Sequence, residues 1–596
     1  MMSKDQDIKK SDSASGNFNG RSLVSKKLTR RQALSTAGKV AIGVVVAGVV
    51  AGVGGYLAGS AAAPVKTVEK TVERTVERTV TKTETVTVTG TAPPPTTVVT
   101  TPAPTTVVTT VVTTPVAKRF EGVELTVATE TGPYIAEPVY HWRDVWCAMT
   151  GAKAVHVVEI PYAELFEKIM LDLKVAHTYD ILIIPADWAG DLMGGGYVLP
   201  LDDFIKKYGF PGWEDVVPTV KNKILSWGGK VYATPYDGDC HLFYWRKDAL
   251  EVPEYQDKFK DQYGYRYNIP PKTWEEVLDI AEFFNGWDWD KDGKPDYGIA
   301  FCFRRGSQTP WYFVDIAAQY TVMPPEVPGK IDRYRGIFYF DPETMEALCD
   351  TPGWIEGFRL FREMLKRAPP GAINWAVGEL REGFCSASPS CAMAVDWADI
   401  GVISVDPTIS KVKDKLGFSR LPGAPRYYDR EKGSWVEKFN QVSILNFGGW
   451  IGTISKWSKN PEAAYNLLCF LASPEIDIHD VCEGARKTGR NPYRFSHFTN
   501  IDAWVAYGGW SRESAEAYLK AIKSVYDDPN ALTDIRIPGQ PEYWDALDIA
   551  ISEVLTDMKK PEEAAKDVKR KWEEITDKRG RDQQKKLYRE MLGLPP

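Results

Sequence analysis

An α/β fold is predicted for the chain from Gly122 onward, on three observations. Short apolar runs alternate with amphipathic helical segments, the pattern of sheets layered with helices. One run, residues 179–184 (Tyr-Asp-Ile-Leu-Ile-Ile), is apolar on both faces, as a strand covered on each side must be. The 596 residues are 43% hydrophobic and 26% charged, enough to fill sizeable cores in more than one domain.

The elements follow in order. Residues 123–128, 155–160 and 179–184 read as strands. Thr273-Trp274-Glu275-Glu276 is a capping box, with Val277, Ile280, Ala281 and Phe284 on one helical face behind it. Asn460-Pro461 gives an N-cap with proline at the first helical position, and Ala464, Leu467, Leu468 and Leu471 form the apolar stripe. Residues 541–592 read as nearly all helical, with a solvated charged face.

The N-terminus reads as an address. Residues 1–39 are polar and basic and contain Arg30-Arg31, followed by Gln32-Ala33-Leu34. A twin-arginine pair before an apolar run is an export signal. The uncharged run that follows, placed at 40–60, is long enough to span a bilayer as a helix. Ser60-Ala61-Ala62-Ala63 offers a cleavage site, yet the next residues favour an uncleaved anchor. Residues 61–119 repeat Thr-Val-Glu-Arg (Thr71 to Arg74, Thr75 to Arg78) and then run into Thr/Val/Pro tracts. That composition cannot bury a core and is expected to form a disordered stalk. At about 3.1 Å per residue it reaches more than about 100 Å, a length of use only if one end is fixed. The first cysteine is Cys147, so no lipid-bearing cysteine follows the apolar run.

Bulk chemistry excludes several functions. A net charge of -7 offers no basic surface for nucleic acid. The 6 histidines include no pair at metal-ligand spacing. No C-x-x-C, G-x-S-x-G, H-E-x-x-H or Walker A pattern occurs. Cys385 and Cys391 flank a small polar loop and can close a local disulfide in an oxidising compartment. The other cysteines read as buried thiols. No Asn-x-Ser/Thr sequon is present.

Six segments resemble, in order and spacing, the extracellular solute-binding proteins of family 1, the maltose-binding-like group that serves ABC importers. They are Gly195 to Asp203 (Gly-Gly-Tyr-Val-Leu-Pro-Leu-Asp-Asp), Gly229 to Asp237, Pro271 to Glu276, Ala392 to Trp397, Gly448 to Gly452 and Arg490 to Arg494. The resemblance covers residues 122–592. It implies a two-lobed fold of the periplasmic binding-protein type (class II), with lobes joined by hinge strands and ligand held in the cleft between them. The N-lobe is expected at 120–236 and 448–495, and the C-lobe at 237–447 and 496–596. The implied function is capture of a mono- or oligosaccharide outside the cell and delivery to an ABC permease and, through it, an ATPase. The departure from the family is the N-terminal protein anchor, which places the globular part at the cell surface.

A sugar presents polar edges and apolar C–H faces, so its site needs flat rings and charged or amide oxygens. On the N-lobe side Asp187 and Trp188 follow the 179–184 strand, where open α/β sheets bind ligands. Tyr134 follows the first strand. Tyr236, Asp237 and Asp239 lie in the hinge turn. Trp311 and Tyr312 resemble the family's C-lobe aromatic pair, and Trp397 and Trp450 are read as ending apolar strands. The alternative for each ring is core packing, and for each aspartate a turn cap. Arg490 and Arg494 can pair with an acidic ligand or with local carboxylates, and are read as partners of the latter.

Residues 288–296 carry Asp288, Asp290, Asp292 and Asp296 at loop positions 1, 3, 5 and 9, with Gly293 at 6 and Lys294 offering a carbonyl at 7. This is the start of an EF-hand-type calcium loop, lacking the position-12 glutamate because Ile299 stands there. A structural Ca2+ is expected, since four crowded carboxylates repel without a cation. Competing functions are a cell-surface glycan-acting enzyme, the same fold binding peptide or another nutrient, and a sensory ectodomain. The last lacks a cytoplasmic signalling region. None of the sequence motifs supports catalysis.

Overall fold

The computed structural model describes residues 119–595, apart from 133, 329–333, 335, 387–389, 447 and 484–488. The expected export signal, membrane segment and stalk lie outside the described residues. Among the described residues no helix is long and apolar enough to cross a membrane.

Two sheets organise the chain. The N-lobe sheet runs in the order Ala154–Ile160, Glu124–Glu130, Ile181–Pro185, Trp450–Ile454, Ala233–Pro235. Its first three strands pair in parallel, while Trp450–Ile454 inserts antiparallel between Ile181–Pro185 and Ala233–Pro235. Every residue of Ile181–Pro185 is buried, as its two-faced apolar pattern requires. The C-lobe sheet runs Leu416–Ser419, His241–Arg246, Cys391–Trp397, Tyr297–Ala300. Cys391–Trp397 is likewise buried throughout. Each sheet takes strands from distant stretches of the chain, which therefore crosses between lobes at 236–240 and again at 446–450.

The helices start where the chain asks them to. The Thr273 hydroxyl accepts from the Glu276 N–H at 3.3 Å, half of the expected capping box. The Glu276 carboxylate turns instead to the backbone N–H groups of Asn268 and Lys272, both at 2.6 Å, and so fastens the preceding loop. Pro461–Leu471 begins after Asn460 as expected, with no side-chain bond from that cap. Thr309–Thr321 is buried at all 13 residues, the mark of a helix apolar on every side. The C-terminal region forms Gln540–Leu555, Pro561–Arg579 and Arg581–Leu592. The first of these packs on Thr309–Thr321 and Pro352–Leu365, adding a layer to the C-lobe.

Candidate functional site

The N-lobe contributes the end of its central strands. Chain leaving Ile181–Pro185 makes a 3-10 turn, Ala186–Trp188, beyond the carboxyl end of the sheet. Asp187 is fully buried there and accepts from Gln540 Nε2 at 2.7 Å, while its other oxygen has no partner. Trp188 is 4% exposed and packs against Phe166 and Tyr162, ring centroids 5.1 and 6.4 Å away. Trp450 lies 6.4 Å from Tyr162. It opens its strand; the expectation that it ends one is corrected, because Gly448 and Gly449, both with positive φ, form the turn before it. A side chain at Gly449 would strike the Asp237 carbonyl, so glycine there lets the two lobe crossings touch.

The C-lobe contributes the buried helix and the strand beside it. Trp311 donates its indole N–H to Asp534 at 2.5 Å, and Tyr312 its hydroxyl to Asp396 at 2.5 Å. Trp397 ends its strand, donates to Gln308 Oε1 at 2.6 Å and stands 6.4 Å from Trp311. Arg381 bridges Asp396 (2.7 Å) and Asp399 (2.5 Å) and lies over the Tyr134 ring at 5.7 Å. Tyr134 itself is exposed at the cleft margin.

The hinge residues have mechanical contacts. The Tyr236 hydroxyl donates to the Ile135 carbonyl at 2.6 Å, and its ring faces the Arg490 guanidinium at 4.7 Å. Asp237 accepts from the Asn491 N–H at 2.6 Å. Asp239 accepts from Cys240 and Ala398 at 2.8 and 3.1 Å. Burial first, and then the Asp399 charge, push both carboxyls well above the usual range.

A third wall was not foreseen. Asp534, Arg536, Gln540 and Trp544 come from the C-terminal segment. Arg536 donates to the carbonyls of Ala186 (3.0 Å) and Ile224 (2.8 Å), and the Gly539 N–H reaches Asp191 at 3.0 Å. Burial raises Asp534 to about 7, and burial together with the Asp534 charge raises Asp187 well above its ordinary value. Charged residues inside the apolar stretch around Ile535 and Ile537 are the sequence signal for this wall. The predicted rings are at 5% exposure or less, Tyr134 excepted, and Arg536 and Gln540 of the C-terminal segment bond to Ala186 and Asp187. A separate cavity of about 800 Å³, bordered by Lys223, Trp227, Phe495, Tyr526 and Leu592, holds none of the predicted site rings.

In the acidic loop, carboxylate oxygens of Asp288, Asp290 and Asp296 lie within 4.8 Å of one another. That spacing suits oxygens about 2.3–2.6 Å from a shared Ca2+. Gly293 and Asp292 donate N–H bonds to Asp288 and Asp290, both at 3.0 Å, and Ser390 ties Asp290 to the neighbouring strand at 2.6 Å. Asp292 falls outside the convergent set and accepts instead from the Lys294 N–H at 2.9 Å. Burial, and then the Asp290 charge, raise Asp296 to about 6.

Two further readings resolve. Cys385 and Cys391 are free buried thiols, not a disulfide, and burial pushes Cys385 up to about 12. Both are enclosed by the C-lobe core, as apolar residues are. Arg490 pairs with Asp477 (2.5 Å) and Asp480 (3.0 Å), and Arg494 with Asp477 (3.0 Å).

Known proteins share this architecture. The family described as bacterial extracellular solute-binding protein matches residues 150–478. A probable amino-acid ABC transporter periplasmic-binding protein of Sinorhizobium fredii is 22% identical over 477 residues, 78% of this chain and 91% of that one. An ABC transporter solute-binding protein from Agrobacterium radiobacter K84, solved with ribitol, superposes with a TM-score of 0.60 at 21% identity, covering 76% of this chain and 99% of that one. Another from Agrobacterium vitis S4, with bound D-mannitol, gives 0.57 at 21% identity over 77% and 99%. The two solved neighbours are two-lobed binding proteins by fold.

Proposed function

The chain belongs to the bacterial extracellular solute-binding protein family, and from that premise we propose that it captures a carbohydrate, sugar or sugar alcohol, outside the cell and delivers it to an ABC importer permease. What supports this is the gathering of Trp188 and Trp450 about Tyr162 on one side and of Trp311 and Trp397 on the other, with Trp311 donating to the buried Asp534, whose charge acts on the buried Asp187. Rings bind C–H faces and carboxylates take hydroxyls. An amino acid would also need a cation for its carboxylate. Arg381 is committed to Asp396 and Asp399, and Arg536 to main-chain carbonyls. The site therefore favours a neutral, hydroxyl-rich ligand over a zwitterion.

Titration calorimetry on the full chain in detergent tests this, with D-mannitol, ribitol and maltose against a set of amino acids. Saturable binding of a carbohydrate is expected, with the ligand recovered unchanged and Asp187→Asn weakening it about tenfold or more. Binding confined to amino acids overturns the assignment, and turnover of the carbohydrate would make the protein an enzyme.

The acidic loop is read as a structural Ca2+ site of the C-lobe: Asp288, Asp290 and Asp296 supply hard oxygens at calcium spacing. The N-terminal run at 40–60 is read as a membrane anchor carrying the stalk and the extracellular domain, on its length and on the composition that follows it. Recovery of the full chain in the soluble fraction of cells would refute the anchor.

A further inference from the structure

His241 opens the C-lobe strand His241–Arg246 and is fully buried. Its Nδ1 lies 2.5 Å from Asp315 Oδ2, and Asn446 Nδ2 approaches the other Asp315 oxygen at 3.4 Å. Asp315 sits one helical turn beyond Trp311 on the buried helix Thr309–Thr321. The ring of His241 stands edge-on to Trp397, centroids 3.9 Å apart, and 4.7 Å from Tyr312. It is thus packed among the rings assigned to the C-lobe side of the cleft. Its second nitrogen, Nε2, is buried without a partner.

A buried ring nitrogen left unpaired is costly, and native structures rarely tolerate it. In the tautomer whose Nδ1–H donates to the Asp315 carboxylate, Nε2 carries the lone pair and accepts. That is the arrangement of a histidine held by one edge so that the other can read a ligand. A histidine serving the core alone needs no carboxylate clamp and no free acceptor beside two cleft rings.

We propose that His241 is a specificity-determining residue of the carbohydrate site, with Nε2 accepting from one hydroxyl of the bound ligand and Asp315 as its positioning residue. This rests on the carbohydrate reading of the cleft. It adds a second directional polar contact on the C-lobe side, beside Asp534 and the rings that supply stacking area.

The test is titration calorimetry on the full chain in detergent. The probes are whichever of D-mannitol, ribitol and maltose binds, together with its singly deoxygenated analogues. His241→Asn keeps an amide near the Nδ1 position for Asp315 and removes Nε2. His241→Gln places an amide nearer Nε2. In the parent chain one deoxy analogue should bind about tenfold or more weaker than the intact ligand. In His241→Asn the intact ligand should weaken by a similar factor and the penalty for that one analogue should vanish. His241→Gln should restore part of both. A purely structural histidine would lower the melting temperature while leaving the pattern across analogues as it was, and that outcome overturns the proposal. Parent-like affinity and discrimination in a folded His241→Asn does the same. Should the variants fail to fold, Asp315→Asn, which frees the ring to turn, must blunt the same discrimination; if it does not, the proposal falls. A parent chain that binds no carbohydrate removes the reading of the cleft itself and this inference with it, a result distinguishable because it appears before any variant is made.

Discussion

Asp477 has zero exposure and three cationic or basic neighbours: Arg490 at 2.5 Å, Arg494 at 3.0 Å and His497 at 3.3 Å. Burial alone would raise its carboxyl; the neighbours, Arg490 foremost, win and hold it far below the usual range. Arg494 also donates to the Ala472 and Gly212 carbonyls, and Arg490 to Tyr236, so the knot joins the hinge tyrosine to the helix Pro474–Glu483. Removing the charge leaves the buried Arg494 without its close anion and Arg490 with Asp480 alone. Asp477→Asn is therefore expected to cost about 3–5 kcal/mol in denaturant unfolding, and a loss below about 1 kcal/mol would show the knot to be ornamental. This carboxyl's pKa is depressed, so its stabilisation is present above about pH 4 and is lost only in stronger acid.

The acidic loop is the element for which a Ca2+ ion is proposed. Its three convergent carboxylates repel one another, and Asp296 is raised to about 6 by burial and the Asp290 charge. Calcium would reverse that by favouring the ionised form. Adding Ca2+ to chelator-treated protein should raise the melting temperature by several degrees, and Asp290→Asn should abolish the rise; equal melting with and without the ion refutes the site. Elements such as this loop, the Thr273 helix start and the strand Ile181–Pro185 were legible in sequence because their signals are local: alternating aspartates, a cap, an unbroken apolar run. The third wall of the cleft was not. Gln540 reaches Asp187 across 353 residues, and no local pattern announces a contact of that separation. The contact of Trp188 with Phe166, made as the turn Ala186–Trp188 lays the ring against it, was not announced locally either. The His241–Asp315 pair stayed hidden for the same reason: a strand start and a helix interior 74 residues apart.

At the scale of the whole molecule, acidic groups meet where the lobes close. Glu130, at the end of an N-lobe strand, is raised to about 7 by burial, with Arg381 of the C-lobe lowering it and Asp399 raising it. Asp534 stands at about 7, and Asp187 is raised well above its ordinary value by burial and then by the Asp534 charge. Carboxyls raised on closure favour the shut form while protonated. Their contribution is full below about pH 4 and is lost as pH rises through about 7. The knot around Asp477 titrates below that window and does not offset it. Unliganded protein should therefore open between about pH 5 and 8, seen as a red shift in tryptophan emission as Trp188, Trp311, Trp397 and Trp450 meet water; a bound carbohydrate should suppress the shift. An emission maximum that stays put over this range would mean that these carboxyls do not govern closure.

The insertion of Trp450–Ile454 into the middle of the N-lobe sheet bears on how the chain is made. When Ile181–Pro185 leaves the ribosome, the strand that will flank it on one side has not yet been synthesised. At about 5–20 residues per second the delay is on the order of tens of seconds. Through that interval a fully apolar edge, Ile-Leu-Ile-Ile, stands open to any stray strand. A nascent chain of this topology thus carries an apolar strand lacking one of its sheet neighbours until Trp450–Ile454 has been translated.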